Sequence, residues 1–254
     1  MEFAQYSQEF GCARLTRDDA GVLEVSLHTA GGALVWGEQV HRELPELFAR
    51  IGSDPDIRVV ILTGCGEAFC IEADASILRV LKQPGGWDRI TAEGTAILEN
   101  LLRIEVPMIA AVNGPASVHA ELALLCDAVL ARPDTYFQDR VHATIGIVPG
   151  DGVQVIWPLL LGPGRGRYFL LTGQKIGAAE ALTLGIAHEI LAAGELLPRA
   201  RELAADWASR PPEMMRYTRR LLTARLKREL QAELTQGFAL EGLAMAQRRD
   251  RAAR

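Results

Sequence analysis

The run Ile57-Arg58-Val59-Val60-Ile61-Leu62-Thr63, followed at once by Gly64-Cys65-Gly66, decides the fold class. Its β-branched residues show no polar alternation, the pattern of a strand covered on both faces, and such strands belong to parallel sheets flanked by helices. Working outward, Met108–Val112 (MIAAV) repeats the pattern and ends in Asn113-Gly114-Pro115, and Ala128–Ala131 repeats it after Cys126-Asp127. Upstream, residues 14–17 and 22–28 read as a strand pair around the turn Asp18-Asp19-Ala20-Gly21, and residues 37–50 carry helical spacing through Val40, Leu44 and Leu47. Further helices are predicted over 87–103 and 119–125. Strands feeding short glycine-bearing turns and then helices make an α/β fold. From about residue 164 the pattern becomes almost wholly helical, over 165–172, 178–184, 195–209 and 212 to about 245, with Pro211-Pro212 marking a helix start. The expected organisation is an α/β core over residues 1–195 and a C-terminal helical region over 196–254.

Composition narrows the function. Among 254 residues, 49% are apolar and 23% charged, with a mean hydropathy of +0.09, so a disordered chain is excluded and a sizeable core is available. The net charge of −5 argues against a nucleic-acid-binding surface. The charge is uneven, since residues 210–254 hold 11 basic and five acidic side chains. Such an end is most simply a solvated helix face, and a phosphate-bearing ligand or subunit contact is the sharper alternative. Cys12, Cys65, Cys70 and Cys126 show neither C-x-x-C spacing nor neighbouring histidines, so they read as reduced, mostly buried thiols and no metal site is expected. The opening MEFAQYSQEF has no basic or apolar leader character, and no apolar run approaches about 18 residues, so a cytoplasmic protein without membrane contact is expected. There is no G-x-x-x-x-G-K-[ST], Gly64-Cys65-Gly66 lacks the third glycine of a dinucleotide fingerprint, and no G-x-S-x-G exists. None of the three lysines, Lys82, Lys175 and Lys227, sits in a hydrophobic turn suited to Schiff-base chemistry. No cofactor is expected.

Four motifs, in order, resemble the crotonase (enoyl-CoA hydratase/isomerase) family. They are Gly64-Cys65-Gly66-Glu67-Ala68-Phe69-Cys70 with Ala73-Asp74; Ala110-Ala111-Val112-Asn113-Gly114 with Glu121-Leu122-Ala123 and Cys126-Asp127; Gly146-Ile147-Val148-Pro149-Gly150; and Thr172-Gly173 with Ala178, Glu180-Ala181 and Gly185. The resemblance implies a spiral of ββα turns and a helical C-terminal region that trimerises, commonly into a dimer of trimers. Departures from the hydratase pattern speak to the reaction. The glycine-rich stretch whose amide helps hold a thioester oxyanion is replaced by Ser117-Val118-His119-Ala120, the small-Gly pair before Ala73-Asp74 by Ile71-Glu72, and the second hydratase Glu by His142, while Glu121 keeps the place of the first. Val35-Trp36, Val118-His119, His142, Pro149-Gly150-Asp151-Gly152 and Glu241 are similar instead to the β-diketone hydrolase branch, the 6-oxocamphor hydrolase type, which cleaves carbon–carbon bonds without coenzyme A. Tyr136-Phe137-Gln138-Asp139 looks close to the same branch. By that resemblance the catalytic residues are His142, Asp151, His119 and Glu241, and Trp36, His119 and Ala73 bind substrate, a small-molecule diketone.

The chemistry follows from the residue types. Splitting a bond between two carbonyls requires water to attack one ketone and a clamp for the enolate that leaves. His142, with an ordinary imidazole pKa of about 6.5, is expected to take the water proton, and Asp151 to hydrogen-bond to it and hold its tautomer. His119 and the Trp36 indole would donate to the carbonyl that becomes the enolate, where one well-aimed donor contributes about 3–4 kcal/mol. Glu241 would position substrate or water, or relay a proton to the enolate carbon. Each has a plainer alternative: Asp151 as a helix N-cap, Trp36 as packing, Glu241 as a solvated or subunit-contact residue. His28, His41 and His188 read as structural. Two other functions stay open, an enoyl-CoA hydratase/isomerase acting on a thioester and a non-catalytic or RNA-binding scaffold.

Overall fold

The computed structural model describes residues 3–252, with side chains through 248, so the basic side chains of Arg249, Arg251 and Arg254 lie outside the described residues. Its strands are β1 (Ala13–Arg17), β2 (Val22–Leu27), β3 (Leu34–Trp36), β4 (Val59–Gly64), β5 (Cys70–Ala73), β6 (Met108–Val112), β7 (Ala128–Ala131), β8 (Tyr136–Phe137), β9 (Ile176–Gly177) and β10 (Glu189–Ile190). They fall into two layers. The larger sheet runs β1-β2-β4-β6-β7-β10, parallel except for the β1–β2 hairpin, whose register pairs Ala13 with Leu27. In the second layer β3 pairs parallel with β5, Ala116 bridges Cys70 to Phe137, and β8 pairs antiparallel with β9.

The chain therefore repeats one unit. A strand in the large sheet is followed by a short stretch in the second layer and then by a helix: β2, β3 and Glu38–Ser53; β4, β5 and the helices Ser76–Leu81 and Gly86–Arg103; β6, Ala116 and Glu121–Leu124; β7, β8 and Arg140–Ile145. This is the expected spiral of ββα turns. Sequence dictates it through strands β4 and β6, which are apolar on both faces because both are covered. Val60, Leu62, Ala110 and Val112 face the main core, while Val59, Ile61, Ile109 and Ala111 face a second cluster under the helix Ala193–Ser209. That helix presents Leu196, Ala200, Ala204 and Ala208, a buried stripe of mostly small side chains that lets it lie close to the sheet.

Two expected boundaries move for visible reasons. β4 begins at Val59 because the Ile57 amide still turns back to the Asp54 carbonyl, and the Arg58 and Val59 amides share the Gly21 carbonyl just ahead of β2. The helix predicted over 119–125 starts only at Glu121, since His119 has φ +49°. The last helix, Pro212–Ala252, is docked by the buried Arg219, which donates to Asp127 at 2.7 Å and to the carbonyls of Ile104 and Leu125. All four cysteines are buried and unpaired with one another. No helix among the described residues is long and apolar enough to cross a membrane.

Candidate active site

Each turn of the spiral delivers side chains to one place just past its second-layer stretch. Trp36 ends β3, and Ala73, its register partner, ends β5. His119 lies three residues beyond Ala116, and Asp139 and His142 follow β8. Asp151 arrives from the loop before the helix Val153–Leu161, and Glu241 from the helix Pro212–Ala252. These last two are brought together by a glycine contact. A Cβ on Gly150 would stand 2.2 Å from the Gly237 carbonyl oxygen, and one on Gly237 2.2 Å from that of Gly150. Only two glycines allow the loop backbone to lie on the helix backbone so closely.

All six residues named from sequence line one cavity of about 480 Å³, together with Asp139, Glu121 and His41. Much of its remaining wall is apolar, including Ile77, Trp87, Ile90, Leu98, Trp157 and Phe238. The imidazole of His119 stacks on the Trp36 indole with ring centroids 3.7 Å apart and planes at 32°. Its Nδ1 is 2.5 Å from Glu121 Oε1 and 3.8 Å from Asp151 Oδ2. His142 Nδ1 is 2.7 Å from Asp139 Oδ1, and its Nε2 is 3.7 Å from the same Asp151 Oδ2. Asp151 thus sits between two imidazoles, each of which has a carboxylate of its own.

Three buried carboxylate oxygens at this end of the cavity have no partner: Asp139 Oδ2, Asp151 Oδ1 and Glu241 Oε2. Their charge decides how the neighbours titrate. Burial lowers the His142 imidazole, but the Asp151 charge and the Asp139 bond and charge outweigh it, with Glu241 adding to them, and it is pushed up to about 10. For His119 burial again lowers, while the charge and bond of Glu121 and the charge of Asp151 raise, and the net is upward. Burial raises Glu241 to about 8, reinforced by Asp151 and opposed by the two imidazoles. At neutral pH His142 is therefore an imidazolium and Glu241 is neutral. A ring nitrogen of His119 and one oxygen each of Glu121 and Asp151 lie within 4.8 Å of one another.

The structure corrects two expectations and removes one alternative. His142 and Asp151 are in ion-pair range rather than hydrogen-bonded, and the ring is held by Asp139 one helical turn earlier. An imidazole of ordinary basicity is not what burial among carboxylates produces, so protonation of His142 lies near pH 10 and not near neutrality. Asp151 is not an N-cap: Gly152 occupies that position, with no side-chain cap. Sequence reasoning also missed functional neighbours. Asp139 was legible as the i, i+3 partner of His142 had the helix Arg140–Ile145 been recognised, but Val141, Thr144 and Ile145 disguise it. His41, read as structural, is on the cavity wall with Nδ1 2.9 Å from Glu93 Oε2 and its ring edge-on to Trp36. Nothing in its local sequence pointed there, because Glu93 is 52 residues away. His188 does serve structure, accepting from the Val129 amide at 2.8 Å.

Comparison with known proteins agrees with this fold. A β-diketone hydrolase from the cyanobacterium Anabaena sp. PCC 7120, solved with (S)-3-oxocyclohexyl acetic acid bound, superposes with a TM-score of 0.95 at 45% identity over 98% of this chain and 100% of its own. An enoyl-CoA hydratase/isomerase from Mycobacterium paratuberculosis superposes with a TM-score of 0.83 at 26% identity, covering 92% of this chain and 93% of its own. Carnitinyl-CoA dehydratase of Proteus mirabilis (strain HI4320) is 36% identical over 193 residues, 75% of this chain and 72% of the relative. Residues 17–249 match the enoyl-CoA hydratase/isomerase family across almost the whole length. The chain belongs to that family, the crotonases, and among solved structures it is similar to a β-diketone hydrolase.

Proposed function

We propose that this crotonase hydrolyses the carbon–carbon bond of a cyclic or bicyclic 1,3-diketone in a retro-Claisen reaction, giving a keto acid. The observation that carries the reading is the Asp151 carboxylate between the imidazoles of His119 and His142 at the polar end of an otherwise apolar cavity. Water attacks one ketone carbon and gives its proton to the Asp151–His142 pair. Because His142 already holds a proton at neutral pH, the accepting atom is a carboxylate oxygen of Asp151, and the imidazolium faces the alkoxide that forms. Collapse of the tetrahedral intermediate breaks the bond to the central carbon. The electron pair moves onto the second carbonyl as an enolate, which His119 and Trp36 stabilise by donation. Neutral Glu241 then protonates the enolate carbon, and the water proton held by Asp151 passes to Glu241, so one water is consumed per bond cleaved and both carboxyl groups return to their starting states. The ligand of the Anabaena relative supports this substrate class, since a ketone and a carboxylic acid on one ring are what remains when water opens one ring of a bicyclic diketone.

A second reading, hydration of a coenzyme A thioester, is favoured by Glu121, which stands where hydratases carry their first Glu, and by the thioester enzymes among the relatives. Two features weigh against it. Glu121 is committed to His119 at 2.5 Å, and the amides of Ser117 and Val118, in the stretch that would supply an oxyanion donor, both donate to the Cys70 carbonyl. Turnover of a bicyclic 1,3-diketone measured beside crotonyl-CoA separates the two. Activity on the diketone alone is expected, and activity on crotonyl-CoA alone would replace the proposal with the second reading.

A further inference from the structure

We propose that Asp139 is a positioning residue for this reaction, fixing the His142 ring with Nδ1 toward the protein so that Nε2 is presented to Asp151 and the cavity. This rests on the function proposed above, but its central observation is independent of substrate. Asp139 precedes the helix Arg140–Ile145, where an aspartate ordinarily caps the first amides, yet its side chain makes no capping bond. The carboxylate turns instead to His142 at 2.7 Å. Its other oxygen is buried without a partner, which is costly for a carboxylate unless a cation stands beside it, and the His142 imidazolium is that cation.

The segment carrying Asp139 is held from both sides. The Gln138 amide donates to the Ala116 carbonyl and its side chain to the Gly173 carbonyl, while the Arg140 amide donates to Ser117. Ser117 is two residues from His119, so the backbone that places Asp139 also ties the fourth turn of the spiral to the third. Asp151 cannot do the orienting work from 3.7 Å, because an acceptor at that distance fixes neither tautomer nor ring plane. A carboxylate on Nδ1 is the standard way to fix which imidazole edge meets the reacting groups. The charged groups facing His142 are Asp139 on its own segment, Asp151 on the loop before Val153–Leu161, Glu241 on the last helix and, more distantly, the imidazole of His119 from the third turn.

The test is Asp139→Asn, with Asp139→Ala beside it. Asparagine keeps the volume and one acceptor but removes the charge. The His142 imidazole titration, followed by NMR, should move down by a unit or more, and kcat on the diketone should fall by about 10–10³-fold with KM within about twofold. A His142 titration and kcat both unchanged in Asp139→Asn would overturn the proposal, as would a loss confined to thermal stability. If Asp139→Ala fails to fold, Asp139→Asn alone decides. Should the wild-type enzyme prove inactive on diketones, the functional reading fails while the NMR titration still judges the role of Asp139.

Discussion

His119 is held in a left-handed backbone conformation, φ +49°, that costs a non-glycine residue about 1–2 kcal/mol. Stacking on Trp36 and the bond to Glu121 keep it there, in a stretch where hydratases of the family use glycines. Two substitutions separate the proposed roles. His142→Ala should lower kcat on a 1,3-diketone by about 10²–10⁴-fold with little change in KM, whereas His119→Ala should raise KM as well as lower kcat, because its contact exists with both the carbonyl and the enolate. Steady-state kinetics on the two variants checks both, and intact activity in Glu121→Gln is expected only if Glu121 is not the base. The pH profile tests Glu241. Its carboxyl, raised to about 8, is protonated below that pH and ionised above it, so kcat should fall as pH rises through about 8 if it supplies the proton to carbon. Glu241→Gln should be slow and should lack that limb. Stability carries its own signature from His142. With the folded value near 10 and the unfolded one near 6.5, its contribution is complete below about pH 6.5 and is lost as pH climbs toward 10, so Tm should drop more across that window in the wild type than in His142→Ala.

The loop 149–152 and the helix Pro212–Ala252 meet through Gly150 and Gly237, and this contact sets the approach of Asp151 to Glu241. Gly237→Ala would drive a methyl into the Gly150 carbonyl and must separate the two, so a loss of about 1–3 kcal/mol in stability together with reduced kcat is expected. Gly194→Ala is the control: it lies in the helix Ala193–Ser209 with open space around it, and alanine there should be neutral or stabilising by about 0.4–1 kcal/mol. Chemical denaturation of the two variants gives the comparison. The same pair shows where sequence reading runs out. Pro149-Gly150-Asp151-Gly152 was visible as a motif, but Gly237 sits mid-helix with no local reason for being glycine, and its reason is 87 residues away. Long buried strands such as β4 and β6 were legible because burial on both faces leaves a plain composition. The second-layer stretches β3, β5 and β8 were not, being two to four residues long and paired only at a distance. Six candidate site residues could be named because short stretches resemble the β-diketone hydrolase branch, yet the partner of each imidazole depends on angstrom-level placement that spacing does not encode.

The helix Pro212–Ala252 has two apolar stripes with different fates. One, through Thr223, Leu230, Leu234 and Phe238, is buried against the core of the same chain. The other, Met214, Tyr217 and Leu221 at helical spacing with Leu222 beside it, is left open, Leu221 at 78% and Leu222 at 73% exposure. Large apolar side chains grouped in this way on one helix face mark a surface that another chain covers. The family resemblance implies that the other chain is a second copy, in a trimer or a dimer of trimers, and a stripe spaced by three and four residues suits a helix laid along a neighbour. Arg216 and Arg220 flank it, and both pair with the one carboxylate of Glu105 of the same chain, which offsets part of their charge. Light scattering at micromolar concentration should therefore give a mass well above the 27.7 kDa of one chain. Leu221→Glu with Leu222→Glu should shift it to the monomer while leaving the cavity intact, since neither residue lines it. A wild-type monomer under those conditions would mean that the stripe has some other occupant, and the expected assembly would have to be abandoned.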